Sequence, residues 1–127
     1  MAIIRRWIHK NVGFEDDGRT KDCMIIYDYV KLMNGEDLKI GVQEYQVLGF
    51  MMTSLHNLAV RNDVPIFTMI QLNRDGIDKE TADVVAGSDR VMWLTTNFSI
   101  FKPKSDEELQ ASDPDEGTHK LVIIKHR

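Results

Sequence analysis

A chain of 127 residues, 43% hydrophobic and 28% charged, has the composition of an ordinary globular domain and the length for one core. Its formal net charge of −4 excludes a generally basic surface of the kind that holds nucleic acid through phosphates, leaving local basic loops for that task. The single cysteine, Cys23, lies inside an apolar run and reads as a small core residue, which excludes a disulfide framework and points to a reducing compartment. No apolar run reaches the roughly 18 residues that a membrane span needs, so the expected location is the cytoplasm.

In chain order, Ile3, Ile4, Trp7 and Ile8 recur at helical spacing while Arg5, Arg6, His9 and Lys10 cover the other side, predicting an amphipathic helix that ends near Gly13. Phe14 to Asp22 mixes acids with Gly18 and Thr20 and reads as a loop. Cys23-Met24-Ile25-Ile26-Tyr27 then forms a continuous apolar run ending at Asp28, the pattern of a strand covered on both faces in a parallel sheet. Tyr45, Leu48, Met52, Leu55 and Ala59 alternate steps of three and four and predict a long helix. Pro65 introduces a second strand, Ile66 to Ile70, which terminates at Gln71. Strand, helix and strand in this order suggest a right-handed parallel crossover.

Residues 73–89 are polar, with Gly76 and Gly87, and read as a long loop holding a short helix around Lys79 to Val85. Val91 to Leu94 and Phe98 to Phe101 are predicted as two strands around a turn at Thr96-Asn97. The acidic stretch from Pro103 to Gly117 reads as a solvated loop, because clustered like charges favour hydration. Leu121 to Ile124 is the last strand, followed by Lys125-His126-Arg127.

Gly13 to Thr20 has the glycine spacing of the phosphate loop GxxxxGK(S/T), with Arg19 in place of Lys. Its context is wrong. A phosphate loop follows a strand and opens a helix, so that backbone N–H groups point at the anion, whereas here a helix precedes and a strand follows. Glu15, Asp16 and Asp17 would also repel a triphosphate. The histidines at 9, 56, 119 and 126 have neither ligand spacing nor cysteine partners, which argues against a zinc site.

Ligands of open α/β sheets bind beyond the carboxyl ends of the strands, which makes Asp28 and Gln71 neighbours on an expected binding edge. An Asp there can hold Mg²⁺ through its water shell, and a Gln can sense a terminal phosphate or an attacking water. The ordered set is more specific than either residue. Ile25-Ile26-Tyr27-Asp28-Tyr29-Val30-Lys31-Leu32-Met33, then Gln71-Leu72-Asn73-Arg74, then Ile123-Ile124-Lys125-His126-Arg127 resembles the core of the DnaB-type replicative DNA helicases, over roughly residues 23–127. In that family the Walker B strand reads much like IDYLQLM, the next strand ends in a QLNR-like motif, and a late strand ends in K-x-R. Lys31 departs from the family's usual Gln, and the acidic stretch resembles an insertion.

The resemblance implies an α/β fold: a partial RecA-like core, mainly parallel sheet with flanking helices and a C-terminal antiparallel hairpin. It divides a single partial helicase domain, 1–127, into helix and loop (1–22), Walker B strand, helix, sensor strand and loop (23–89), and C-terminal strands with the acidic loop 103–117 (90–127). It makes Asp28 the Walker B carboxylate for Mg²⁺ and ATP, Gln71 the residue coupling nucleotide to DNA, and Lys125 and Arg127 the basic pair that reaches phosphates held by a neighbouring subunit. Arginine suits that task because its charge is permanent and its planar fork matches phosphate oxygens. Lys39, Arg74, Lys79 and Arg90 fall in or beside stretches that line the single-stranded DNA channel in the family. The implied whole is a hexameric, ATP-driven motor of a bacterial cell or its phage, whose partners are single-stranded DNA and other helicase subunits. Because the phosphate loop and the water-activating glutamate of the family are missing, this chain alone is expected to be inactive, to hold neither ATP nor Mg²⁺ stably, and to self-associate. The alternative is a non-enzymatic RecA-like half-domain that binds helicase subunits as an accessory or decoy.

Overall fold

The computed structural model describes residues 1–30, 44–71, 81 and 89–127. Among the described residues it is an α/β structure with a two-stranded parallel sheet and a two-stranded antiparallel sheet, carried by two compact units. The first unit contains residues 1–30, 44–71 and 89–94, and the second contains residues 81 and 95–127.

The first unit opens with helix α1, Ala2–Asn11, where the predicted helix lies. Ile8 is fully buried and Ile4 half-buried, while Ile3 and Trp7 stay exposed, so the helix buries a narrower stripe than its sequence suggests. Residues 13–21 form a tight hairpin, with an isolated bridge between Phe14 and Thr20 and a bond from Lys21 N to Gly13 O of 3.2 Å. Gly18, at φ 84°, turns the chain in the left-handed region where a Cβ would be strained.

Strand β1, Ile25–Val30, pairs in parallel with β2, Ile66–Ile70, in the register Ile25 with Ile66 through Tyr27 with Thr68. The register shifts before Val30, which meets Ile70, and the Asp28–Tyr29 peptide is cis. Between the strands runs helix α2, Glu44–Asn62, whose Leu48, Met52, Leu55 and Leu58 form the buried stripe at helical spacing. Asp63, at φ 50°, ends the helix in the left-handed conformation, and buried Val64 and then Pro65 lead into β2. The start of the pairing is fixed by a backbone bond from Ile25 N to Pro65 O of 3.0 Å.

Two expectations for this unit need correction. The apolar strands are not covered on both faces: Met24, Ile26, Phe67 and Met69 alternate outward and are exposed. Val91 to Leu94 belongs to a helix, α3 (Asp89–Leu94), rather than to a strand. A short apolar run fits either element by periodicity, and here Asp89 in the first turn favours the helix dipole while Val91 is buried to 1% exposure. His56 of α2 meets the Leu94 carbonyl at 3.2 Å, at the end of α3.

The second unit is built on an antiparallel pair, β3 (Asn97–Pro103) with β4 (His119–His126). An antiparallel C-terminal pair is therefore present, but its partners are separated by the acidic stretch rather than by a turn at Thr96-Asn97. Phe98 and Ile100 face inward from β3, whereas Phe101, Leu121 and Ile123 are exposed. The acidic stretch is not a plain loop. It contains helix α4, Asp106–Ala111, opened by a capping box in which Ser105 and Glu108 satisfy each other's backbone N–H groups. Lys104 pairs with Glu116 at 2.8 Å and donates to Ser112 at 2.7 Å, and Lys120 pairs with Glu108.

Candidate functional site

The C-terminal edge of the β1–β2 pair carries Asp28 and Gln71, both exposed. Asp28 does not end its strand, as its apolar run suggests; two further strand residues, Tyr29 and Val30, follow it. Gln71 directly follows the Val30–Ile70 pair, so the two side chains sit on neighbouring strands, offset by roughly 7–10 Å along them at the usual rise per residue. That spacing suits two groups acting on one extended ligand better than two ligands of one ion. One rung before Asp28 the Thr68 hydroxyl donates to the Tyr27 carbonyl at 2.6 Å. This bond lies where the register shifts, and a hydroxyl inside an otherwise apolar strand was its only sequence signal.

Lys125 and Arg127 lie in the other unit, at the end of β4. The ladder continues one residue past the strand through Arg127 N to Thr96 O, 3.2 Å, so Lys125 and Arg127 share one face and His126 turns to the other, where it meets Asn97. Lys125 is paired across the ladder with buried Phe98. Desolvation there, followed by the like charge of Arg127, holds the Lys125 ammonium below the ordinary lysine value. Two cations crowded on one face favour an incoming anion.

Of the residues expected along DNA, Lys39, Arg74 and Lys79 lie outside the described residues. Arg90, on the first turn of α3, holds its guanidinium 5.5 Å from the centre of the Phe50 ring, a cation–π contact within the first unit.

The Gly13 to Thr20 segment has the helix-then-strand context that disqualifies a phosphate loop. Its N–H groups are also occupied: Glu15 N bonds to Arg19 O at 2.8 Å, Gly18 N to Glu15 O at 2.9 Å, and Arg19 N to the Asp17 carboxylate at 3.1 Å. The backbone bond from Arg19, and then its guanidinium, hold Asp17 below the usual carboxylate range. A negative charge fixed in the turn opposes a phosphate.

Among the described residues no group of three or more His, Cys, Asp or Glu is gathered to hold a metal ion. Mg²⁺ bound beside a nucleotide needs only one or two carboxylates, with water and phosphate oxygens for the rest. Exposed Asp28 meets that demand, whereas the 13–20 hairpin offers no cradle for the triphosphate. No helix among the described residues is long and apolar enough to cross a membrane. Comparison with protein-family profiles, curated proteins and solved structures finds no match to this chain.

Proposed function

We propose that this chain is part of a RecA-like ATPase core of the DnaB-type helicases, supplying the Walker B carboxylate, the sensor glutamine and the basic pair of a DNA-translocating motor in the bacterial cytoplasm. The observation that carries the reading is the parallel β1–α2–β2 unit with Asp28 and Gln71 on its carboxyl edge, where ligands of α/β sheets bind. The crowded pair Lys125 and Arg127 adds a second, cationic component suited to phosphate oxygens.

In this reading Asp28 holds Mg²⁺ through water, and the ion supplies charge neutralisation to the phosphates when bound. Gln71 relays the state of the nucleotide edge to the chain that follows it, and Arg127 acts in trans on a neighbouring subunit. Positioning and charge neutralisation make up most of phosphoryl-transfer catalysis, so a chain without a GxxxxGK(S/T) phosphate loop beside Asp28 is inactive by itself. ATP turnover is measured with the purified chain alone, and with it added to a DnaB-type fragment that carries GxxxxGK(S/T) but lacks its Walker B strand. We expect no turnover alone and DNA-stimulated turnover in the mixture, lost on Asp28→Asn and on Arg127→Ala. Turnover by the chain alone at ordinary helicase rates, abolished by Asp28→Asn, would overturn the proposal.

A further inference from the structure

The strongest unassigned feature is a concavity between α1 and α2 within the first unit. It is an open depression of about 620 Å³ lined by Arg5, Arg6, His9, Asn57 and Arg61, with Leu58 among its apolar contributors. That volume falls within the range of small-molecule sites. Helix α2 carries the chain back from the carboxyl end of β1 to the amino end of β2, so its last turns lie at the end of the unit opposite Asp28 and Gln71. The concavity is therefore separate from the proposed nucleotide edge, and the inference from it does not rest on the motor reading.

Arg5, Arg6 and Arg61 all line it, and among the described residues no carboxylate does. The chain as a whole is acidic, with 20 Asp and Glu against 16 Lys and Arg, so a wall with only basic charges is a local reversal of its composition. Arg61 has an ordinary explanation, since a cation in the last turn complements the helix dipole. Arg5 and Arg6 do not. They stand in the first half of α1, whose first turn has no acid, where the dipole disfavours cations. Among the described residues neither is paired with a carboxylate, and a bound anion would supply that partner. Guanidinium forks match phosphate oxygens in bidentate geometry, and the Asn57 amide adds a neutral donor on the same wall.

We propose that this concavity is a binding site for a ligand with adjacent phosphates, each guanidinium fork taking phosphate oxygens while the Leu58 side lies against the ligand's less polar part. A nucleoside polyphosphate and a single-stranded nucleic acid both present such phosphates, and the experiment separates them.

The test is titration of the isotope-labelled chain, without Mg²⁺, with inorganic pyrophosphate, followed by amide and guanidinium NMR signals. Saturable shifts are expected at Arg5, Arg6, Asn57 and Arg61, with affinity weakened by about tenfold or more in the Arg5→Gln, Arg61→Gln double variant. Gln preserves helix propensity, and the single Arg5→Lys variant, which keeps the charge but loses the fork, is expected to fall between the two. ATP competing more tightly than an oligothymidylate of equal phosphate concentration identifies a nucleotide ligand, and the reverse order identifies a nucleic acid; either supports the site. Non-saturable shifts, equal shifts from sulfate at matched ionic strength, or an unchanged affinity in both variants would overturn it.

Discussion

At the scale of single residues, the clearest electrostatic statement concerns Glu108. The side-chain bond from Lys120, and then the backbone N–H of Ser105, hold its carboxyl below the ordinary glutamate value. A carboxylate depressed in the folded state stabilises the fold above its unfolded value, about 4.3, and that stabilisation is lost as the pH falls through the lower folded value. Glu108→Gln is therefore expected to lower the thermal midpoint at neutral pH, with the difference from the parent narrowing as the solution is acidified. A difference independent of pH would mean that the pairing contributes nothing, as is common for exposed ion pairs. Glu116 is shifted in the same direction, by Lys104 first and Ser112 next. In both contacts a carboxylate of the acidic stretch meets a lysine, Lys104 near its start and Lys120 just beyond its end, which relieves part of the like-charge repulsion.

At the scale of elements, α2 organises the first unit. Leu55 is 3% exposed on its buried stripe, and truncating a buried leucine removes transfer free energy and leaves a cavity. Leu55→Ala is expected to cost about 2–5 kcal/mol, read as a lower urea midpoint with an unchanged slope. The same helix shows how much of the fold was legible. The Leu48, Met52 and Leu55 part of its stripe and the two parallel strands around it were readable because each rests on a local period, whereas Tyr45 is exposed, Leu58 is buried in its stead, and Asp28 closes its apolar run without ending the strand. Val91 to Leu94 was not readable, because four consecutive apolar residues do not choose between strand and helix until Val91 finds its place in the core. The partner of β3 was also hidden, since a strand far along the chain, rather than the adjacent run, completes the pair. For the same reason the shared concavity of Arg5, Arg6 and Arg61 is invisible in one dimension: its lining comes from two helices far apart in sequence.

At the scale of the whole molecule, both sheets leave apolar surface uncovered. In the first unit Ile26 and Phe67 are exposed beside each other on paired strands, and in the second Leu121 and Ile123 are exposed with Phe101. Uncovered apolar faces and open strand edges favour pairing with another chain. Concentration-dependent self-association is expected by light scattering in the micromolar range, weakened by Phe67→Lys or by Ile123→Lys. A monodisperse monomer throughout that range would count against it.

The pairing of Pro103 with His119 has one more consequence. The chain leaves the ladder and returns to it at a single rung, so everything between is a closed excursion that carries its own cap, helix and the Lys104–Glu116 pair, with Glu108 tied back to Lys120 of the ladder. Closing such a loop costs only about 0.6 kcal/mol more for each doubling of its length. The β3–β4 ladder is therefore nearly indifferent to how long the excursion is, and this part of the chain is free to lengthen, shorten or be exchanged while the strand that ends in Lys125 and Arg127 keeps its register.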